Sequence, residues 1–219
     1  MIKTAQDVHM VQLLVDYLQS IEYWHDLDSG MWEEDEEIHA SSVGACVAGL
    51  LAVKDIQGIH VNQSLIDKGK QMLAHLLPRE SQKKFVDMAL LSLIYPYHVT
   101  TKEQTQAILE HVEYHLVKKR GVIRYKNDYY YNKNPDGYSE EAEWTMGLSW
   151  LSIIYQQLGD TQKAKEYLDK ALETVNEQGE EPELYFSNSD KYNENSPLGW
   201  AESLLVVAIH DFIEKEKLR

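Results

Sequence analysis

Two short stretches carry residues able to do chemistry as a pair. Asp28-Ser29-Gly30-Met31-Trp32-Glu33-Glu34 sets carboxylates beside an aromatic ring, and Pro182-Glu183-Leu184-Tyr185 does the same far downstream, each at the edge of a predicted helix. Two separated carboxyl groups are the equipment for splitting a glycosidic bond: one protonates the leaving oxygen and the other activates water. A chain with 36 acidic residues also sets some Glu beside Trp or Tyr by chance, so neither stretch carries the argument alone.

A third candidate is Arg124-Tyr125-Lys126-Asn127-Asp128, followed by Tyr129, Tyr130 and Tyr131. Charged and planar polar groups exchange hydrogen bonds with sugar hydroxyls, and aromatic faces stack on sugar rings. A hairpin held by cross-strand tyrosine pairs accounts for the same residues equally well. The five consecutive acids from Glu33 to Glu37 predict carboxyl pKa values raised by like-charge crowding, which is what a general acid needs near neutral pH. Asp35, Glu36 and Glu37 themselves read best as a solvated loop, and the run lacks the ligand spacing and glycine of an EF-hand. Among nine histidines only His111 and His115 share a helix-face spacing, without a third ligand, so no metal is expected. No phosphate-cradling glycine loop, dinucleotide fingerprint or GxSxG elbow is present, and no cofactor is expected.

The elements that must position these residues are helical. Val8, Val11, Leu14, Val15 and Leu18 form one apolar stripe, and Val43, Val47, Leu50 and Leu51 another. Further helices are predicted over 65–77, 81–93, 102–117, 140–158 and 161–172, with Leu77-Pro78 and Tyr95-Pro96 as stops and Gly159-Asp160 as stop and cap. A last helix is predicted from Pro197 as a first-turn proline. Strand signals are confined to Val122-Ile123-Arg124-Tyr125 and Tyr129-Tyr130-Tyr131, a short hairpin soon broken by Pro135-Asp136-Gly137. The expectation is an all-α chain of about eight helices in antiparallel hairpins, forming one domain over 1–219. Residues 158–172 also resemble part of a tetratricopeptide repeat, but there is no second copy to bury its apolar face.

At 219 residues, with 43% hydrophobic and 26% charged, the chain has the composition of an ordinary globular protein. Its formal charge of −15 argues against nucleic acid and anionic membrane surfaces as partners. The lone Cys46 excludes an internal disulfide and lies among small residues, where packing is its expected part. No signal-like or membrane-length apolar run is found, so a cytoplasmic location is the expectation.

Taken together, these segments resemble glycoside hydrolase family 15, the glucoamylase family, and especially its relatives among the regulatory subunits of phosphorylase kinase. The resemblance rests on Gly30-Met31-Trp32-Glu33, Ala40-Ser41-Ser42-Val43-Gly44, Arg124 to Asp128, Glu143-Trp144, Pro182 to Tyr185, and Pro197-Leu198-Gly199-Trp200-Ala201-Glu202-Ser203-Leu204, which recur in the family's order from about Tyr23 to Phe212. It implies an (α/α)6 toroid and inverting cleavage of α-glucosidic bonds in α-glucan or maltooligosaccharides. It assigns Glu33 as general acid and Glu183 as general base, with Trp32 and Glu34 beside the sugar and Arg124 and Asp128 holding hydroxyls. Because family members place several helices before the Trp-Glu motif, the resemblance also implies an incomplete ring, with three answers open: a second chain, self-association that fills the gap, or a degenerate pocket. The alternative it carries is a catalytically silent, phosphorylase-kinase-subunit-like protein that binds glucan or regulates a partner.

Overall fold

Capping residues, prolines and apolar spacing decide where each helix of this chain begins and ends. The computed structural model describes residues 3–132 and 140–217, and among them are eight α-helices. These are α1 (Ala5–Ser20), α2 (Ala40–Val53), α3 (Gln63–Leu76), α4 (Leu91–Ile94), α5 (Lys102–His115), α6 (Met146–Leu158), α7 (Thr161–Leu172) and α8 (Gly199–Lys217). A 3-10 turn at Met88–Leu90 precedes α4, and two short strands, β1 (Glu143–Trp144) and β2 (Leu184–Tyr185), pair antiparallel. The all-α expectation therefore holds. The predicted break at Pro135-Asp136-Gly137 lies outside the described residues.

The start of α1 is a capping box. The Thr4 hydroxyl accepts from the Asp7 backbone N–H, and the Asp7 carboxylate accepts from the Thr4 N–H. Such a cap contributes about 1 kcal/mol. Asn62 and Asp160 cap α3 and α7 with a single side-chain bond each, to the backbone N–H of Ser64 and Lys163, and Gly159, at φ 82°, closes α6 in the left-handed region that glycine enters without a Cβ penalty.

By its contacts the chain divides into two compact units, Met1–Phe85 with Ser92–Ile108, and Val86–Leu91 with Leu109–Arg219. In the first, α2 packs on α3 over a core of Val43, Val47, Leu50, Leu65, Ile66 and Leu73. The two helices approach closely at Gly69, where any Cβ would collide with the Tyr23 hydroxyl and Val47; that hydroxyl donates to the Leu65 carbonyl at 2.8 Å. Glu80 serves the start of α2: its carbonyl accepts from Ala40 N–H at 2.7 Å, and its carboxylate accepts from the Ser41 N–H and hydroxyl. A carboxylate there also suits the positive end of the helix dipole. From α1, only Val15 is fully buried, while Met10, Leu13, Leu14 and Tyr17 stand exposed along one face.

The second unit is built on α6, whose residues from Met146 to Gln156 are all buried beneath α7 and α8. Burying a leucine or isoleucine there contributes about 1.5–3 kcal/mol. A polar clamp ties α5, α6 and α7 together. Glu113 Oε1 accepts from the hydroxyls of Tyr155 and Tyr167, both at 2.8 Å, and Lys163 bridges the same carboxylate. Burial pushes the Glu113 carboxyl up, but these donors outweigh it and hold it below the usual range, while burial drives the Tyr155 phenol up to about 12.

Three predicted elements differ. Of the helix expected over 81–93 only the end forms, as the 3-10 turn and α4, because Ser81 Oγ accepts from Lys84 N–H and Asp87 caps the 3-10 turn, drawing 81–87 into turns. The helix expected from Glu140 begins at Met146, since Glu143 and Trp144 are taken up in β1. Pro197 lies outside the last helix: α8 starts at Gly199, and Leu198 N–H is held by the Glu181 carbonyl at 3.0 Å. Leu77-Pro78 and Tyr95-Pro96 do mark the ends of α3 and α4.

Candidate functional site

Trp32, Glu33 and Glu34 sit in the first unit, in the loop from α1 to α2. The loop is pinched by reciprocal backbone bonds between Asp28 and Glu37, at 3.0 and 3.1 Å. Within it the Glu34 N–H reaches the Ser29 carbonyl at 2.9 Å and the Glu33 N–H the Gly30 carbonyl at 3.3 Å. This tight turn needs positive φ at Gly30 (67°) and at Glu33 (55°). Glycine takes it freely, whereas a side-chain-bearing residue there costs on the order of 1 kcal/mol, a kind of strain that clusters at functional sites. The Glu33 side chain is exposed; Trp32 and Glu34 are half-buried, and Glu34 pairs with Lys84 at 2.8 Å.

The crowding expected of the acidic run is relieved by lysines. Asp35 bonds Lys83 at 3.0 Å, which holds its carboxyl below the ordinary value. Glu37, expected to be solvated, is buried instead, with one oxygen taking the Lys83 N–H. Cys46 is half-buried in α2, and burial, with Asp28 and Asp26 adding to it, pushes its thiol up to about 11, far from a reactive thiolate.

The remaining motif residues meet in the second unit. Val122 exchanges backbone bonds with Trp144 (2.9 and 3.0 Å), Trp144 pairs with Leu184, and Tyr185 bridges to Tyr192. This ladder replaces the hairpin expected between 122–125 and 129–131, because the partner of Val122 is β1. Gly121 makes the approach possible, its Cα lying against the Glu143–Trp144 backbone.

On that platform Glu183 is 8% exposed, and its Oε2 accepts from the side-chain amides of Asn193 (2.5 Å) and Asn195 (2.8 Å). Arg124 and Asp128 form a buried bidentate pair, both contacts 2.7 Å, and Asp128 Oδ1 also accepts from the Tyr130 N–H. The Arg124 guanidinium lies 5.0 Å from the ring centres of both Tyr130 and Trp144. The Tyr130 phenol is raised first by burial and then by the Glu183 charge. Asp128 is thus wholly buried and engaged by Arg124. Asn193 and Asn195 did not stand out in the sequence; neither lies in a motif, and backbone bonds from Glu183 N–H to the Asn195 carbonyl (3.0 Å) and from Asn193 N–H to the Leu184 carbonyl (3.2 Å) bring them in. Among the described residues no group of His, Cys, Asp and Glu is poised to hold a metal ion, and no helix is long and apolar enough to cross a membrane.

The all-α fold is one that solved glycosidases share. The chain belongs to glycosyl hydrolases family 15, whose sequence profile matches residues 1–218. Its fold is the glucoamylase α/α-toroid: a bacterial glucoamylase complexed with acarbose superposes with a TM-score of 0.72 at 18% identity, over 93% of this chain and 37% of that one. A glycosidase variant in complex with glucose gives 0.72 at 18% identity, over 90% and 58%. In sequence, the probable phosphorylase b kinase regulatory subunit alpha of Caenorhabditis elegans is 27% identical over 257 residues, covering 94% of this chain. The chain spans about a fifth of the length of the curated relatives it matches, 21% of that subunit.

Proposed function

We propose that this protein is a glucoamylase-like α-glucan hydrolase acting by inversion, with the chain 1–219 working as one domain in carbohydrate metabolism in the cytoplasm. Glu33 is the general acid and Glu183 the general base. Base action needs one carboxylate oxygen held and the other offered to water. The observation that carries the reading is the seat of Glu183, where Asn193 and Asn195 both hold Oε2 and no described group takes Oε1. In the reaction, water loses a proton to Glu183 as its oxygen bonds the anomeric carbon. The glycosidic C–O bond breaks, and the leaving oxygen takes the proton of Glu33. Trp32 and Glu34 flank the acid. Arg124 and Asp128 hold sugar hydroxyls, with the Arg124 guanidinium beside the Tyr130 and Trp144 rings.

Hydrolysis of maltooligosaccharides by the wild type, followed by proton NMR, should release glucose first as the β-anomer. Glu33→Gln and Glu183→Gln should each lower kcat by at least a hundredfold, the size expected when a general acid or base is lost. Release of the α-anomer, or variants as active as wild type, would remove the assignment.

A second reading is favoured by the sequence likeness to phosphorylase kinase regulatory subunits: a catalytically silent member that binds glucan or regulates a partner. Titration calorimetry with maltooligosaccharides separates the two, since heat without turnover identifies the silent form. The exposed apolar face of α1 supports association with a second chain or a second copy.

A further inference from the structure

A buried imidazole has two ring nitrogens that need partners. His39, the residue before α2, is 1% exposed, yet neither Nδ1 nor Nε2 has a hydrogen-bond partner among the described residues. Its place is set by contact instead. Gly30 lies across the ring: a Cβ there would come within 2.6 Å of Nδ1, 2.8 Å of Cε1 and 2.9 Å of Cδ2. The Gly30 carbonyl accepts from the Glu33 N–H at 3.3 Å, and the Gly30 N–H donates to Asp28 Oδ1 at 2.6 Å. That same oxygen accepts from the Ser42 hydroxyl of α2 at 2.7 Å.

We propose that His39 is a positioning residue for the acid turn: its ring is the floor on which Gly30 rests, it orients Trp32 and Glu33 through that turn, and its protonation unseats them. The inference rests on the role proposed for Glu33. Burial is the largest influence on the ring and, with the Lys84 ammonium, opposes the proton, while Asp28, Glu37 and Glu34 favour it; burial prevails, and the imidazole stays neutral to lower pH than usual. Once charged, it draws on the Asp28 carboxylate that holds the Gly30 N–H and the Ser42 hydroxyl. Nitrogens that make no bonds are dispensable at neutral pH, so phenylalanine should serve as the floor equally well.

The test follows the Gly30 and Glu33 amides and the His39 ring by 15N NMR from about pH 7.5 to 4.5, a range that brackets histidine protonation, in wild type, His39→Phe and His39→Ala. In wild type the two amides should move with the midpoint of the His39 ring. His39→Phe should keep their neutral-pH positions and lose that transition, and His39→Ala should displace them already at neutral pH. With maltooligosaccharide, His39→Ala should lower kcat about 10–100-fold with KM little changed, the signature of a misplaced group, and His39→Phe should restore kcat while abolishing the acid-side fall at that midpoint. The same transition in His39→Phe, or undisplaced amides in a folded His39→Ala, overturns the proposal. The amide measurements need no ligand, so a wild type that shows the transition but neither binds nor cleaves glucan sinks the glucan reading and leaves the floor standing.

Discussion

At the scale of single residues, Arg124 and Asp128 show how a candidate binding pair is also a structural one. Their bidentate contact is buried on both sides, with side-chain exposures of 7% and 0%. Removing one charge leaves the other stranded in a poorly polarisable surrounding, which costs about 3–5 kcal/mol. Asp128→Asn should therefore lower the unfolding free energy by that much, seen as a lower urea midpoint at unchanged slope, while an unchanged midpoint would show the pair to be solvated. Asn195→Ala tests the seat of the base more gently: with one of two donors gone, kcat should fall about tenfold through misorientation while unfolding stability changes by about 1 kcal/mol. Residue chemistry was legible where side chain and neighbour are adjacent in sequence, as in Trp32-Glu33 and Pro182-Glu183. It was illegible for Asn193 and Asn195, whose meeting with Glu183 depends on a backbone pairing that no local pattern announces.

At the scale of elements, the segment that leads into β2 carries a second buried acid. Glu181 is 1% exposed; burial, with the Glu202 charge adding to it and the Thr145 hydroxyl opposing them weakly, raises its pKa from 4.5 to about 8. The folded protein thus binds this proton more tightly than the unfolded chain does, so stability falls as pH rises from about 4.5 to about 8. His39 works in the opposite direction. Its folded pKa lies below the unfolded value of 6.5, so the unfolded chain binds the proton more tightly, and stability is lost as pH falls below 6.5. Glu181→Gln should add on the order of 2–4 kcal/mol at pH 8 and almost nothing at pH 4.5, read from denaturant titrations at the two values; equal gains at both would sink the account. The helical elements were visible in apolar spacing and proline stops. The departures at 81–93 and at Pro197 have different causes: local side-chain bonds of Ser81 and Asp87 draw the first segment into turns, and the long-range bond from Leu198 N–H to the Glu181 carbonyl holds the second out of the helix.

At the scale of the whole molecule, the α1 stripe of Met10, Leu13, Leu14 and Tyr17 is the feature that a lone chain leaves unexplained, with exposures from 46% to 60%. With a second copy as the occupant, wild type should sediment as a dimer at micromolar concentration, and Leu14→Glu should shift it to monomer. A monomeric wild type rules out self-association. High salt should favour the dimer, since the net charge of −15 on each chain opposes it. Sequence alone determined the all-α class, the family and the acid and base candidates, because helix periodicity and contiguous motifs are local properties of the chain. Tertiary structure alone decided that Val122, Trp144, Leu184 and Tyr192 share one ladder, that Asp128 is buried against Arg124, and that a histidine ring lies beneath Gly30. The ladder and the histidine beneath Gly30 join segments that no helical repeat connects, Arg124 and Asp128 pair four residues apart outside any helix, and what settled all three was the burial of side chains and the satisfaction of polar groups in the folded chain.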